Sequence, residues 1–255
     1  MTTVAVIQAR CGSTRFPRKV LAPLQGRPML AHIIERVANA TLVDRVVVAT
    51  TDLSRDDEVA ALATAHGAAV TRGPEDDVLT RYVMAAREHG ADVVVRITAD
   101  CPLVDPTVVD MVIRARADAS ADYASNVAPS TFPDGYDVEA LTAACLDRID
   151  REATLEYERE HVTVRVREHL DAFRTAQVRN DRDLSWMRLT VDLPEDLERV
   201  ARLLATLPAT PPPGLAAVVD AYEHDPTLSG HPVQRRDERY HTQRERARPT
   251  PQTGD

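Results

Sequence analysis

Short runs of β-branched and aliphatic residues alternate with longer amphipathic segments in the first half of the chain. The runs with the length and composition of strands are residues 4–8, 45–50, 68–71 and 92–98. The segments with the apolar periodicity of helices are residues 29–39, 55–66, 76–88 and 106–117. Continuously apolar strands that alternate with helices are typical of a parallel sheet covered on both faces. We therefore predict an α/β fold, a three-layer α/β/α sandwich with a mostly parallel sheet.

The pattern changes after about residue 120, where strand and helix signals no longer alternate. The runs of strand character are residues 122–125, 136–140, 172–178 and 187–191. Helical periodicity covers residues 142–151, 157–169 and 215–222, and a further helix is expected to begin at Pro194. Residues 230–255 are polar and nearly free of aliphatic side chains, which predicts a disordered tail. We therefore expect one folded domain over residues 1–229.

Composition and charge exclude several classes of protein. The chain has 255 residues, 44% of them hydrophobic, which is enough for a sizeable core. Its net charge of −9 argues against sequence-independent nucleic-acid binding, and we expect the Arg-rich tail, which also contains acids, to be solvated. We find neither an apolar run of about 18 residues nor a signal-peptide pattern, so we expect no membrane partner and a cytoplasmic location. Three cysteines without CxxC spacing predict free thiols.

The loop after the first predicted strand has the composition of a phosphate site. Residues 8–19 include one glycine, two hydroxyl side chains and four cations. Gly12 would let the backbone approach an anion, and Arg15 and Lys19 could neutralise charge during phosphoryl chemistry. The spacing matches neither the Walker GxxxxGK[ST] motif nor the dinucleotide GxGxxG motif. Composition alone leaves two interpretations open, a polyphosphate site and a solvated loop.

Two aspartates follow predicted strands and are candidate metal ligands. Asp100 comes directly after residues 92–98, and Asp192 comes directly after residues 187–191. The carboxyl ends of strands in open α/β sheets bind ligands, and Mg²⁺ combines one or two carboxylates with substrate phosphates. We therefore expect Mg²⁺ as the cofactor. Asp192 could instead cap the helix that begins at Pro194.

Six ordered motifs carry a resemblance to a known family. They are Gln8-Ala9-Arg10-x-Gly12-Ser13-Thr14-Arg15-x-Pro17-x-Lys19, Arg72-Gly73-x-x-Asp76-Asp77-Val78-Leu79-x-Arg81-Tyr82, Thr98-x-Asp100-Cys101-Pro102, Asp134-Gly135-x-Asp137-Val138-Glu139, Arg159-Glu160-His161-Val162-Thr163 and Leu189-Thr190-Val191-Asp192-x-Pro194-Glu195-Asp196-Leu197. Together they resemble the SpsF-type cytidylyltransferases of spore-coat polysaccharide synthesis, which are related to the CMP-KDO and CMP-acylneuraminate synthetases. The match extends over roughly residues 3–205 in the same order.

The resemblance implies a glycosyltransferase-A-like nucleotidyltransferase fold, CTP as the donor and release of pyrophosphate. The implied catalytic residues are Arg15, Lys19 and Asp100, and the implied metal ligands are Asp100 and Asp192. The implied nucleotide-binding residues, within a nucleotide-binding part of about residues 1–120, are Ala9, Arg10, Gly12, Ser13, Arg15, Lys19, Arg72 and Asp77. Arg18 stands where the family often has glycine, and we expect it to add a cation beside the triphosphate. A homodimer is expected by analogy with the family.

An acceptor site is expected in the part covering about residues 121–229. The candidates, from a turn-rich acidic segment and a predicted helix, are Asp134, Asp137, Glu139, Glu160 and His161. A single histidine in a helix could equally be a packed or surface residue. The acceptor would be a small anion such as a sugar acid, a phosphate or a phosphonate. Two alternatives stay open: a metal-dependent glycosyltransferase that uses a nucleotide sugar, and a nucleotide-binding regulator without turnover.

Overall fold

The computed structural model describes residues 1–225 and 227–228, and the tail predicted over residues 230–255 lies outside them. Its strands are β1 (Thr3–Gln8), β2 (Pro23–Leu24), β3 (Arg27–Pro28), β4 (Arg45–Thr51), β5 (Ala69–Gly73), β6 (Val93–Thr98), β7 (Tyr123–Ser125), β8 (Glu139–Thr142) and β9 (Thr175–Gln177). Within this part of the chain, β2 and β3 form a small hairpin, and the other strands form one sheet in the order β5-β4-β1-β6-β8-β7-β9.

Helices cover both faces of this sheet. They are α1 (Met29–Ala38), α2 (Asp57–Ala65), α3 (Val78–Glu88), α4 (Pro106–Asp118), α5 (Ala143–Glu152), α6 (Glu156–Glu160), α7 (Val164–Glu168), α8 (Pro194–Ala205) and α9 (Leu215–His224). Proline stands at the first helical turn of both α4 and α8, where its missing N–H costs nothing. None of the helices that the structure describes is long and apolar enough to cross a membrane.

Two apolar cores, one on each face of the sheet, make the molecule a three-layer sandwich. Alternate residues of β1 enter different cores: Ala5 and Ile7 pack with α1, α2, α4, α8 and α9, whereas Val4 and Val6 pack with α3 and α5. Strands β5, β4, β1 and β6 are parallel, and β8 is antiparallel to both of its neighbours. The predicted α/β/α sandwich with a mostly parallel sheet is confirmed.

The strand order changes direction beside β1. From β1 the chain proceeds to β4 and β5 on one side, and then crosses to β6 on the other side. The carboxyl ends of β1 and β6 lie side by side at this change of direction, which is a position where α/β folds bind ligands. Strands of the second half, β7 to β9, extend the same sheet beyond β6.

Several predicted elements of the second half differ from the structure. The strand expected over residues 187–191 is wrong, because this segment makes a single isolated bridge between Arg188 and Asp134. The helix expected over residues 157–169 is interrupted between α6 and α7, where Val162 has a φ of 54°. Strands β8 and β9 are also shorter than expected, and a 3₁₀ turn replaces the start of the strand predicted over 172–178.

Candidate active site

A cleft of about 320 Å³ lies at the carboxyl ends of β1 and β6. Its size is at the lower end of the range for small-molecule sites. The sequence-predicted residues that line it are Ala9, Arg10, Gly12, Ser13, Arg15, Lys19, Asp100, Asp134, Asp137, Glu160, His161 and Asp192. Three other predicted site residues, Arg72, Asp77 and Glu139, are not among its lining residues. Most of the predicted site is thus brought together from segments far apart in the sequence.

A buried carboxylate binds the backbone of the loop after β1. Asp56 is fully buried, accepts a 2.6 Å hydrogen bond from the Cys11 amide and also binds the Thr51 hydroxyl. Burial and the neighbouring Asp56 raise the pKa of the Cys11 thiol to about 11, so this thiol stays neutral. Sequence analysis missed Asp56, because the pattern of its segment predicts only an ordinary amphipathic helix.

The same loop presents backbone donors. Among its internal hydrogen bonds, the amides of Ser13 and Arg18 both donate to the Cys11 carbonyl, at 2.9 and 3.0 Å. Among the hydrogen bonds of the described residues, none has the amide of Gly12, Thr14 or Arg15 as its donor. Neighbouring amides of this kind in one loop can bind phosphate oxygens.

Close packing explains the glycine of the loop. A Cβ atom at Gly12 would lie 2.7 Å from Oε1 of Glu75, which in turn forms a 3.0 Å ion pair with Arg10 and a second ion pair with Arg55. The backbone of Glu75 is held by Arg81, whose guanidinium donates a 2.8 Å hydrogen bond to its carbonyl. Gly12 therefore allows the segment before α3 to close over the loop.

Three cations converge on Asp192. Lys19 Nζ lies 3.2 Å from Asp192 Oδ1 and 3.8 Å from Asp100 Oδ2, and it donates a 2.8 Å hydrogen bond to the Val191 carbonyl. Arg15 and Arg188 pair with the two Asp192 oxygens at 2.8 and 2.9 Å. Burial alone would raise the pKa of Asp192, but the positive charges of Lys19, Arg15 and Arg188 outweigh it and lower that pKa. The carboxylate is therefore ionised at neutral pH.

Asp100 and Asp192 fit a metal that is shared with a substrate. Both carboxylates lie within 4 Å of the Lys19 ammonium, so they face the same small volume. No group of three or more Asp, Glu, His or Cys side chains within the described residues is placed to hold a metal ion. Two carboxylates that leave the other positions to water and phosphate oxygens are the donor set that Mg²⁺ accepts.

The helix-capping alternative for Asp192 is not what the structure contains. At the start of α8 the capping carboxylate is Asp196, whose Oδ2 accepts hydrogen bonds of 2.9 Å from the amides of Asp192 and Leu193. The Asp192 side chain instead points to the cations of the cleft. This division of roles leaves Asp192 available for ligand chemistry.

Arg188 is a cleft residue that sequence analysis missed. Its guanidinium pairs with Asp134 Oδ2 at 2.9 Å and with Asp192, and Thr190 Oγ1 lies 3.4 Å from the same Asp134 oxygen. Met187, Leu189 and Val191 are fully buried, while the intervening Arg188, Thr190 and Asp192 line the cleft. This alternation is visible in the sequence and could have identified Arg188.

Glu139, a predicted acceptor residue, lies beneath the cleft in a buried polar network. It faces Arg96 across the β6–β8 pairing and forms an ion pair with it. Its Oε1 accepts hydrogen bonds from Tyr123 at 2.5 Å and from Thr163 at 2.6 Å. The Thr163 contact joins β8 to the α6–α7 junction, where the predicted helix is interrupted. Sequence analysis also missed Arg96, although a charge within an otherwise apolar strand is a usable signal.

This network makes stability depend on pH. Burial alone would raise the pKa of Glu139, but the charges of Arg96 and Arg167 and the hydrogen bonds of Thr163 and Tyr123 lower it. Its stabilising contribution is therefore complete above the unfolded glutamate pKa of about 4.3 and is lost as pH falls toward the lower folded pKa. We expect Glu139→Gln to reduce the free energy of unfolding by about 3 kcal/mol at pH 7.

Denaturant unfolding of both proteins between pH 3 and 7 would measure this dependence. We expect the difference in stability between wild type and Glu139→Gln to shrink below about pH 4.3, because the unfolded wild-type chain takes up a proton on Glu139 there, before the folded protein does. A difference that stays constant across this range would contradict an ionised Glu139.

The other predicted residues have structural partners. Arg72 donates to the Thr51 carbonyl at 2.8 Å and pairs with Asp57 at 2.7 Å. Asp77 caps α3 through the Thr80 amide at 2.8 Å and pairs with Arg159 at 2.5 Å. Burial alone would raise the pKa of Asp77, but Arg159 and Thr80 lower it. Contacts of Arg72 and Asp77 with a nucleotide stay predictions.

The expectation for Arg18 is wrong. Its side chain is 53% exposed, pairs with Glu58 on the surface at 2.5 Å, and is not among the lining residues of the cleft. Arg18 has a φ of 60°, a conformation that glycine adopts at less cost. The side chain pairs with Glu58 and does not line the cleft, so it adds no cation there.

Comparisons with known proteins agree with this geometry. A family model described as cytidylyltransferase matches residues 4–223. The spore coat polysaccharide biosynthesis protein SpsF of Bacillus subtilis strain 168 is 35% identical over 205 residues, which cover 78% of this chain and 84% of that protein. The structure of a cytidylyltransferase from Leptospira borgpetersenii serovar Hardjo-bovis is 30% identical, with a TM-score of 0.87 over 92% of this chain and all of that one.

Two more distant structures share the fold. CMP:2-keto-3-deoxy-manno-octonic acid synthetase complexed with CTP is 21% identical, with a TM-score of 0.62 over 81% of this chain and 99% of that one. Rv0371c of Mycobacterium tuberculosis H37Rv, complexed with manganese, is 18% identical, with a TM-score of 0.58 over 79% of this chain and 99% of that one. These likenesses confirm the nucleotidyltransferase fold that the motifs imply.

Proposed function

Because the chain belongs to the cytidylyltransferase family, we propose that it transfers CMP from CTP to a small anionic acceptor and releases pyrophosphate. The family makes it a CTP-dependent nucleotidyltransferase. The observation that carries the proposal for the site is the convergence of Arg15, Lys19, Asp100 and Asp192 beside the open amides of the loop after β1.

The donor half of the site follows from the charges of the loop. The amides of Gly12, Thr14 and Arg15 would donate hydrogen bonds to phosphate oxygens of CTP, and the Lys19 ammonium would neutralise the charge that develops on the departing pyrophosphate. Arg15 would exchange its pair with Asp192 for the same phosphates. The phosphates of CTP would thus replace the Asp192 carboxylate as the counter-ion of Arg15.

Asp100 and Asp192 would hold Mg²⁺. When bound, the ion would neutralise phosphate charge and help to position the α-phosphate. The manganese complex of a protein with the same fold supports a divalent metal, and the two-carboxylate donor set supports magnesium. Lys19 would keep the two carboxylates oriented, since it contacts both of them.

The transfer itself needs an oxygen of the acceptor in line with the α-phosphorus. That oxygen would form the new P–O bond while the bond to the β-phosphate oxygen breaks, and pyrophosphate leaves with the electron pair. Glu160 and His161 line the cleft and could take up the proton of a hydroxyl acceptor. A phosphate or carboxylate acceptor would attack without that proton transfer.

The acceptor half lies on the side of Asp134, Asp137, Glu160 and His161. A sugar acid, a phosphate or a phosphonate would fit the proposed chemistry. The similarity to a spore coat polysaccharide biosynthesis protein, and the fold shared with a synthetase of an activated octonic acid, support a role in polysaccharide precursor synthesis.

Nucleotide specificity and turnover test the proposal together. We expect magnesium-dependent binding of CTP to exceed that of ATP, GTP and UTP, and pyrophosphate release with CTP when a sugar acid, a phosphate or a phosphonate from a panel is added. Calorimetry would measure binding, and a coupled phosphate assay would measure release. Binding of a nucleotide sugar with no use of any triphosphate would instead identify a glycosyltransferase. CTP binding with no release across the panel would identify a nucleotide-binding regulator.

A further inference from the structure

We propose that Arg96 binds the anionic group of the acceptor, a carboxylate or a phosphoryl oxyanion, and that the buried Glu139 holds its guanidinium in place. This inference rests on the proposed function, because it assumes an anionic acceptor. Arg96 belongs to none of the residue sets predicted from the sequence. It becomes a candidate through its position in the cleft.

Arg96 is the charged residue of an otherwise apolar strand. Its neighbours Val95 and Ile97 are fully buried in the core on the opposite face of the sheet, whereas Arg96 and Thr98 point to the face that lines the cleft. Its side chain is 14% exposed. Burying a guanidinium in the middle of a strand costs desolvation free energy. A partner of opposite charge or a ligand is needed to offset this cost.

The compensating partner is held from several elements at once. Glu139 on β8 is opposite Arg96, and Tyr123 on β7 and Thr163 at the α6–α7 junction donate to its Oε1. The other oxygen, Oε2, accepts from Arg96. Glu139 is 2% exposed and does not line the cleft, so the pair has its cation at the cleft and its anion beneath it. Such an arrangement orients the guanidinium without competing for space in the cleft.

The charges of the acceptor side also favour Arg96. The described residues that line the acceptor side of the cleft include the acids Asp134, Asp137 and Glu160, which would repel an anion. Arg188 is a cation on this side, but it is already paired with Asp134 and Asp192, two acids of the cleft itself. An anion that binds Arg188 would compete with those two carboxylates of the cleft, whereas Glu139, an acid that pairs with Arg96, does not line the cleft.

Guanidinium chemistry suits this task. Arginine presents its N–H donors in a planar fork that binds carboxylate or phosphoryl oxygens in two-point contacts. Such contacts fix the direction of the acceptor as well as its charge. Arg96 would therefore set the acceptor's orientation toward the α-phosphate, and Glu139 would act as a positioning residue through it.

An anion titration followed by nuclear magnetic resonance tests the assignment directly. Protein with ¹⁵N-labelled arginine, saturated with CTP and magnesium, is titrated with sodium acetate or methylphosphonate at constant ionic strength. The Nε–H resonance of Arg96 is assigned by its loss in Arg96→Gln. We expect one probe to shift this resonance saturably while that of Arg27, a surface arginine paired with Glu35, stays in place. A shift with acetate would indicate a carboxylate acceptor, and a shift with methylphosphonate would indicate a phosphoryl acceptor.

Two results would overturn the assignment: no shift of Arg96 with either probe, or an equal shift of Arg27. Failure of the proposed function has a different signature, namely no binding of CTP before any anion is added. The titration of the nucleotide-free protein would then still decide whether Arg96 binds an anion.

Kinetics with any acceptor that is turned over gives an independent test. We expect Arg96→Gln to raise the KM for that acceptor at least about tenfold and to change the KM for CTP by less than about twofold. Arg96→Lys keeps the charge but loses the planar fork of donors. Its KM for the acceptor should lie between those of wild type and Arg96→Gln. The matched control is Arg27→Gln, which removes an exposed Arg–Glu pair and should leave both constants unchanged. A parallel rise in both KM values would show a general distortion of the site and would refute the assignment.

Discussion

Replacing Asp100 by asparagine is expected to lower kcat/KM for CTP at least about 100-fold, which corresponds to about 2.7 kcal/mol of transition-state stabilisation. Asp100 follows β6 at the edge of the cleft and lies 3.8 Å from the Lys19 ammonium. Asparagine has nearly the same size and keeps one oxygen, but it carries no charge. The loss therefore measures the carboxylate charge as a metal ligand rather than the packing of the residue.

Binding of CTP in the presence and absence of magnesium separates this role from a structural one. With magnesium, we expect Asp100→Asn to bind CTP more weakly than wild type, because a ligand of the metal is missing. In EDTA we expect it to bind CTP as well as wild type or better, because one negative charge beside the phosphates has been removed. Weaker binding under both conditions would contradict the proposed role.

The matched control for this experiment is Asp147→Asn. Asp147 also forms one ion pair, with Arg87 at 2.8 Å, but it lies on an exposed part of α5 outside the cleft. Its removal should leave kcat/KM within about twofold of wild type, as is usual for exposed pairs. A comparable loss in this control would attribute the effect of Asp100→Asn to general destabilisation.

The first half of the fold was predictable because local patterns and the global structure agree there. Apolar strands such as Val93 to Val95 are buried on both faces, and the helices between them carry one apolar side. The loop after β1 and Asp100 were also predictable, because they directly follow strands that the pattern locates. Because the carboxyl ends of parallel strands lie at the same edge of a sheet, the loop and Asp100 are expected at that edge.

The second half was harder to predict because tertiary contacts override local preferences. Residues 187–191 alternate as a strand would, but they make a single bridge to Asp134 and use their polar side chains to line the cleft. Residues 157–169 have helical periodicity, but the hydrogen bond from Thr163 to Glu139 accompanies a break at Val162. Both signals come from partners more than 20 residues away, which periodicity within one segment does not contain.

The same limit applies to the site. Glu139 belongs to an acidic motif, but its burial beneath Arg96 depends on the register between β6 and β8. Asp56 binds the loop after β1 from the segment between β4 and α2, and its sequence context is that of an exposed helix start. Residues that act through another residue have the weakest sequence signals, since their type is set by a partner and not by the ligand.

Lys19→Met is expected to reduce kcat/KM for CTP about 100- to 1,000-fold. The Lys19 ammonium is the group that contacts both candidate metal ligands and the Val191 carbonyl. Methionine keeps much of the length and apolar stem of the side chain, so the substitution removes the charge with little change in packing. It also leaves Asp100 and Asp192 without their shared cation, and both binding of the triphosphate and departure of pyrophosphate should suffer.

The composition of the chain makes this residue directly observable. Lys19 is the one lysine in the sequence, whose 31 basic residues are otherwise all arginine. Reductive methylation with ¹³C-formaldehyde therefore labels only Lys19 and the N-terminus. We expect the Lys19 methyl signal to shift when CTP and magnesium are added, because phosphate oxygens would then lie beside the ammonium. The N-terminal signal serves as the internal control and should not move.

Thermal unfolding of Lys19→Met completes the argument. Loss of the ion pairs to Asp192 and Asp100 should lower the melting temperature by only a few degrees, since Arg15 and Arg188 still neutralise Asp192. A large loss of activity with a small loss of stability would place Lys19 at the reacting phosphates. Near-normal turnover, or an unchanged Lys19 signal on addition of CTP and magnesium, would instead show that the ammonium serves only to hold Asp192 and the Val191 carbonyl together.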